Sequence, residues 1–185
     1  MRKTKFIVFD GMDNCGKSTL ISDLVRDLWP VVKEIKFPKT LPSGNLLRIK
    51  EEKDFELLFS MFDLLDSTRT YLMDRFIVSN LVYDKVLRGE DTQLSRYYYD
   101  EFKRRFDVLE IFVTRPPIAA DFIDDRIKLT RDQFNAGLEE YKKYGANHQI
   151  LFRDENDQPA RETQDRQVVL QECIEFINPL NYTRN

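Results

Sequence analysis

Short apolar runs alternate along the chain with longer stretches in which apolar residues recur every three or four positions. The runs at residues 6–9, 31–37, 70–74, 108–113 and 149–152 read as buried strands. The periodic stretches at 17–28, 43–50, 55–65, 79–88, 95–106, 131–144 and 164–177 predict helices. In the first of these Leu20, Ile21, Leu24, Val25 and Leu28 fall on one face, and Trp29-Pro30 ends it. Gly89 and Gly145 stand where the fourth and sixth helices need a left-handed cap. Strands that alternate with helices pair in parallel through right-handed crossovers. The pattern therefore predicts a three-layer α/β/α fold on a five-stranded parallel sheet, with ligands at the carboxyl ends of the strands. The polar stretch 153–166 reads as a surface loop.

Directly after the first run, residues 11–19 read Gly-Met-Asp-Asn-Cys-Gly-Lys-Ser-Thr, a full match to G-x-x-x-x-G-K-[ST]. A strand before and a helix after supply the context that such a phosphate loop needs. Gly11 and Gly16 let the chain curl so that the amides of Asn14, Cys15, Gly16, Lys17, Ser18 and Thr19 surround nucleotide phosphates. Lys17 adds a point charge from what is expected to be a solvent-facing loop, and the Ser18 hydroxyl is suited to Mg²⁺. The helix beginning there aims its positive dipole end at the same anion.

A phosphate loop fixes the ligand class and leaves the reaction open. The guanine-reading Asn-Lys-x-Asp pattern is absent. The third strand ends in Asp74-Arg75-Phe76, followed by Ser79, Asn80 and Tyr83. An acid and a guanidinium at that strand end place Asp74 beside the metal and Arg75 beside a second phosphate. The single histidine, His148, reads as structural.

At 185 residues the chain fits one domain, 1–185. A net charge of −3 and a sequence pI near 5.4 argue against a general nucleic-acid binder or a membrane-surface protein. No signal peptide or membrane span is visible. Cys15, inside the loop, and Cys173, in the last helix, form no disulfide framework, which suggests a reducing, cytoplasmic setting.

Four patches give the chain its resemblance to the thymidylate kinase family: Phe9-Asp10-Gly11-Met12-Asp13, Phe37-Pro38-Lys39, Asp74-Arg75-Phe76 with Ser79-Asn80 and Tyr83, and Asp125-Arg126-Ile127 with Phe134 and Tyr141. The resemblance implies a nucleoside monophosphate kinase that uses ATP and Mg²⁺, a lid-like segment near 115–131, and a homodimer. It implies that Lys17, Ser18 and the loop amides hold ATP, and that Asp13 faces the acceptor 3′-hydroxyl. Arg75 and Lys39 would bind the acceptor phosphate near Phe37 and Ser79. Phe59 would stack on a pyrimidine, Asn80 would bond its edge, and Tyr83 would exclude a 2′-hydroxyl. Asn14 stands where one family subgroup has a catalytic arginine, so Arg126, Lys128 or Arg131 becomes the candidate cation over the transferred phosphoryl. Asp63 stands where the family typically has an arginine that reaches the base; an aspartate there either reads the base or faces water, and the second is expected.

The expected substrate is a pyrimidine deoxynucleoside monophosphate, dTMP or dUMP. A monophosphate carries close to two negative charges at neutral pH, so the attacking oxygen needs no general base. Two other readings stay open. One is a deoxynucleoside kinase, for which Asp10 is the nearby candidate base; the other is a nucleotide-binding switch without turnover.

Overall fold

The computed structural model describes residues 2–38, 49–90, 93–123, 128–153 and 158–178. Four parallel strands form the sheet in the order β2-β3-β1-β4: β1 (Lys5–Asp10), β2 (Val32–Ile35), β3 (Thr70–Asp74) and β4 (Asp107–Phe112). β1 lies in the middle with all of its residues buried, as expected of a strand covered on both faces.

Alternation along β1 divides the core. Ile7 and Phe9 face α1 (Lys17–Leu28), α5 (Arg131–Lys142) and α6 (Gln164–Ile177) through Leu20, Leu24, Phe134, Tyr141 and Cys173. Phe6 and Val8 face α2 (Glu52–Asp63) and α4 (Gln93–Arg105) through Phe55, Phe59, Phe62 and Phe102. This gives the expected three layers. α3 (Ile77–Tyr83) contributes Val78 and Val82 to one cluster and Ile77 and Leu81 to the other. It continues into a wider π turn, Asp84–Arg88, closed by Gly89 at φ 65°.

Parallel register brings the strand ends level: Phe9 pairs with Asp74 and Asp10 with Phe112. The loops that follow β1, β3 and β4 therefore open at one edge of the sheet. α2 begins earlier than periodicity alone predicts because Glu51 and Asp54 form a capping box. Thr130 and Gln133 do the same for α5.

The expected fifth strand is reduced to one parallel bridge, Val113 to His148, among the described residues. Beyond it the Gln149 amide donates to Asp165 at 2.9 Å and the Ile150 carbonyl accepts from the Thr163 amide at 3.2 Å. The start of α6 thus takes the backbone groups that a sheet neighbour would use. β7 (Leu151–Arg153) pairs instead, antiparallel, with β8 (Pro159–Glu162), so part of the expected polar surface loop is an exposed hairpin strand. A second short hairpin, β5 (Phe122–Ile123) with β6 (Lys128–Leu129), precedes α5. Most of the predicted helix 43–50 lies outside the described residues. No helix among the described residues is long and apolar enough to cross a membrane.

Candidate functional site

The phosphate loop leaves β1 through Gly11, at φ 145°, where an added Cβ would lie 2.2 Å from the Val113 carbonyl oxygen. Only glycine fits so close to another backbone. Gly16, at φ 91°, caps α1 without a side-chain hydrogen bond, and the first-turn amides have no capping side chain. Lys17 is buried, not solvent-facing as the sequence suggested: it is 5% exposed, and its Nζ donates to the Gly11 and Met12 carbonyls at 3.1 and 2.7 Å. Burial and the nearby Arg75 push its pKa down. Both causes favour an anion at this position, which would offset the repulsion between the two cations.

β3 delivers the second half of the site. Ser18 Oγ donates to Asp74 Oδ2 at 2.8 Å, while Asp74 Oδ1 is buried without a hydrogen-bond partner. An orphaned carboxylate oxygen beside a hydroxyl suits a hard cation such as Mg²⁺, which takes few protein ligands and completes its shell with phosphate and water. No larger cluster of potential metal ligands occurs among the described residues.

Arg75 turns out of β3 at φ 70°, a costly conformation for a side chain with a Cβ, held by its amide donating to the Phe9 carbonyl at 2.9 Å. The turn brings Arg75 Nη2 to Asp13 Oδ1 at 2.7 Å, and Tyr83 donates to Asp13 Oδ2 at 2.9 Å. Burial opposes the Asp13 charge, but Arg75 and Lys17 outweigh it and hold the carboxyl below its usual range. Asp13, Arg75 and Tyr83 thus arrive from three elements as one hydrogen-bonded cluster.

Asp13, Gly16, Lys17, Ser18, Asp74, Arg75 and Tyr83 line a cleft of about 800 Å³, together with Asn14, Cys15, Thr19, Phe37, Ser79 and Asn80, whereas Gly11 lies behind it. Cys15 is buried, which pushes its thiol pKa up. The Ser79 hydroxyl is engaged in the core, donating to Asp10 and lying 2.7 Å from the Tyr141 hydroxyl.

Two expected site residues, Phe59 and Arg131, lie away from the cleft. Phe59 is fully buried among Phe62, Tyr98, Phe102 and Phe106 and does not line the cleft, because the face of α2 that carries it packs on α4. Phe37 and Phe76, stacked 6.1 Å apart at 14°, line the cleft wall along with Tyr83. Arg131 also stays out of the cleft: it is exposed in the first turn of α5, where it pairs with Asp132. Lys39 and Arg126 lie outside the described residues. Asp63 faces the surface, as expected, in an ion pair with Arg105. Sequence reasoning missed Asp84, Arg88 and Arg153, which also line the cleft. A four-residue spacing from Asn80 to Asp84 to Arg88 was the available signal for the first two; Arg153, which donates to the Asn14 carbonyl at 2.7 Å, had none.

No protein-family profile matches the chain. A thymidylate kinase of Leptospira interrogans is 26% identical over 198 residues, covering 95% of this chain and 94% of the relative. The SPbeta prophage-derived uncharacterized protein YorR of Bacillus subtilis is 29% identical over 136 residues, covering 71% of this chain and 72% of YorR. The crystal structure of YorR in complex with phosphorylated GDP superposes with a TM-score of 0.51, covering 98% of this chain and 99% of that one at 22% identity. Polyphosphate kinase 2 from Arthrobacter aurescens TC1 has a TM-score of 0.54, covering 97% of this chain and 70% of that one at 14% identity, a likeness of fold alone. With the phosphate loop and the Asp-Arg strand end in view, the chain is similar over nearly its whole length to thymidylate kinases, at 25–26% identity.

Proposed function

We propose that the protein transfers the γ-phosphoryl group of ATP to the 5′-phosphate of a pyrimidine deoxynucleoside monophosphate, dTMP or dUMP. The observation that carries this reading is the Asp13–Arg75–Tyr83 cluster beside the phosphate loop. A nucleotide-binding switch needs the loop; an acceptor site needs a second cation fork next to it. Arg75, planar and partly exposed, is suited to two oxygens of the acceptor phosphate. Lys17 and the α1 amides hold the donor phosphates. Ser18 and Asp74 would hold Mg²⁺, which when bound neutralises phosphate charge. Asp13 and Tyr83 then meet the sugar, and the Tyr83 ring excludes a 2′-hydroxyl. Positioning and charge neutralisation suffice, because the acceptor phosphate is already anionic.

Against the deoxynucleoside kinase reading, Asp10 is 1% exposed, accepts from Ser79 and does not line the cleft. Burial pushes its pKa up despite that bond. A coupled ADP-release assay with nucleosides and monophosphates is the test. It is expected to show turnover of dTMP and dUMP, weaker use of dCMP and dGMP, and none of nucleosides. Nucleoside turnover alone would replace the reading with the second, and no turnover with the third. Guanine nucleotides belong in the panel because YorR was crystallised with phosphorylated GDP.

A further inference from the structure

Asn80, Asp84 and Arg88 follow one another at four-residue intervals along α3 and its π turn, so they form a stripe, and all three line the cleft. Asp84 is nearly buried, its side chain 3% exposed, and accepts from Arg88 Nη1 at 2.6 Å. π turns inside helices recur at functional sites, and this one begins at Asp84 and ends at Arg88, both of which line the cleft.

The cations that line the cleft are held differently. Lys17 donates to two uncharged carbonyls and so keeps its charge for an anion. Arg75 and Arg88 are each paired with a carboxylate, but Arg75 is also bonded to the phosphate loop through the Gly11 carbonyl at 3.2 Å, whereas Arg88 stands two turns along the helix from Asn80, where a polar, uncharged group suits it. A guanidinium pinned at one nitrogen keeps its other N–H groups in a fixed plane. The same cleft carries the stacked Phe37 and Phe76 rings, an apolar surface for a flat heterocycle.

We infer that Arg88, oriented by Asp84, determines base specificity by donating to a ring carbonyl, O4 of thymine or uracil. This rests on reading the cleft as a monophosphate site. A keto oxygen accepts from the fork, whereas the exocyclic amine of cytosine sets donor against donor and leaves desolvated groups unpaired. Arg88 thereby does from α3 what Asp63, tied to Arg105 on the surface, does not do from α2.

The test measures kcat/KM and equilibrium binding of dTMP, dUMP and dCMP for the full chain and its Arg88→Met, Arg88→Lys and Asp84→Asn variants, with thermal unfolding of each. Arg88→Met should lower kcat/KM for dTMP and dUMP about tenfold more than for dCMP, mainly through KM. Arg88→Lys, which keeps charge and loses the planar fork, should restore part of the ratio. Asp84→Asn should shift it the same way by less. If the unmutated protein neither binds nor phosphorylates any of the three, the monophosphate reading fails and takes this assignment with it. If it favours dTMP and dUMP and folded Arg88 variants keep that preference, the role of Arg88 alone is overturned. Equal use of dCMP and dTMP by the unmutated protein overturns it as well.

Discussion

At the donor end of the cleft the ligand would meet mostly backbone: the amides at the start of α1, set by Gly11 and Gly16. At the acceptor end it would meet side chains brought together from far apart, Phe37 after β2, Arg75 after β3, and Asn80, Tyr83 and Arg88 along α3 and its turn. A site made of consecutive amides has to be contiguous and needs glycine where the chain curls, so one motif contains it. A site made of side chains tolerates dispersal, provided the elements are held rigidly. The donor end is therefore sensitive to changes of one atom in the backbone path, the acceptor end to changes in chemistry at single positions.

The largest effect should come from the one side chain on which the donor end depends. Lys17→Met keeps the stem and removes the charge, so turnover should fall by about 10²- to 10³-fold in the ADP-release assay. Because Lys17 Nζ donates to the Gly11 and Met12 carbonyls, thermal unfolding must accompany the assay; a folded variant that retains activity would refute the phosphate-loop assignment. Next comes the backbone path itself. Gly11→Ala places a methyl against the Val113 carbonyl at a φ of 145°, and should cost about 2 kcal/mol or more, lowering Tm by roughly 4–8 °C. An unchanged Tm would mean the loop has another conformation available to it.

Legibility in the sequence follows the same division. α1, β3 and α6 begin and end where periodicity places them, since each shows a regular apolar face and sharp ends. The loop residues Asn14 to Thr19 that line the cleft are legible in one motif, whereas Arg153, bonded to the Asn14 carbonyl, is not. Phe59 was misread because its helix is apolar on the side that packs on α4, and a stacking phenylalanine and a core phenylalanine look alike in sequence. The fifth strand does not join the parallel sheet beyond the Val113–His148 bridge: Gln149 and Ile150 bond to Asp165 and Thr163, and Leu151 and Phe152 pair with β8, a tertiary choice that no local pattern encodes. Asp84 and Arg88 were hidden for the opposite reason: an i, i+4 acid–base pair is what any exposed helix face shows.

A smaller effect should test the acceptor end. The proposed role of Tyr83 requires the unmutated protein to prefer dUMP over UMP, and Tyr83→Ala should relax that preference by about tenfold. Tyr83→Phe separates packing from hydrogen bonding: it removes the donor to Asp13 Oδ2 and keeps the ring, so sugar discrimination should survive. Equal use of UMP and dUMP by the unmutated protein would exclude this role.

The smallest effect should lie beneath both ends, at Asp10. Burial disfavours its charge, so its pKa is higher in the folded protein than in the unfolded chain. Folding then favours the protonated form, and the contribution of this carboxyl to stability is greatest below the unfolded-state pKa and declines as pH rises through the folded one. Asparagine cannot ionise and keeps an oxygen to accept from Ser79. Asp10→Asn should therefore be at least as stable as the unmutated protein at pH 7, with the difference shrinking toward about pH 4, where unperturbed aspartate protonates. Tm measured for both proteins across that range decides the matter. A variant that loses ground as pH rises would show that Asp10 is held ionised by its neighbours. The same variant bears on mechanism, because a nucleoside kinase with Asp10 as its base would lose activity with Asp10→Asn, whereas an enzyme whose acceptor is an anionic phosphate should keep its turnover of dTMP.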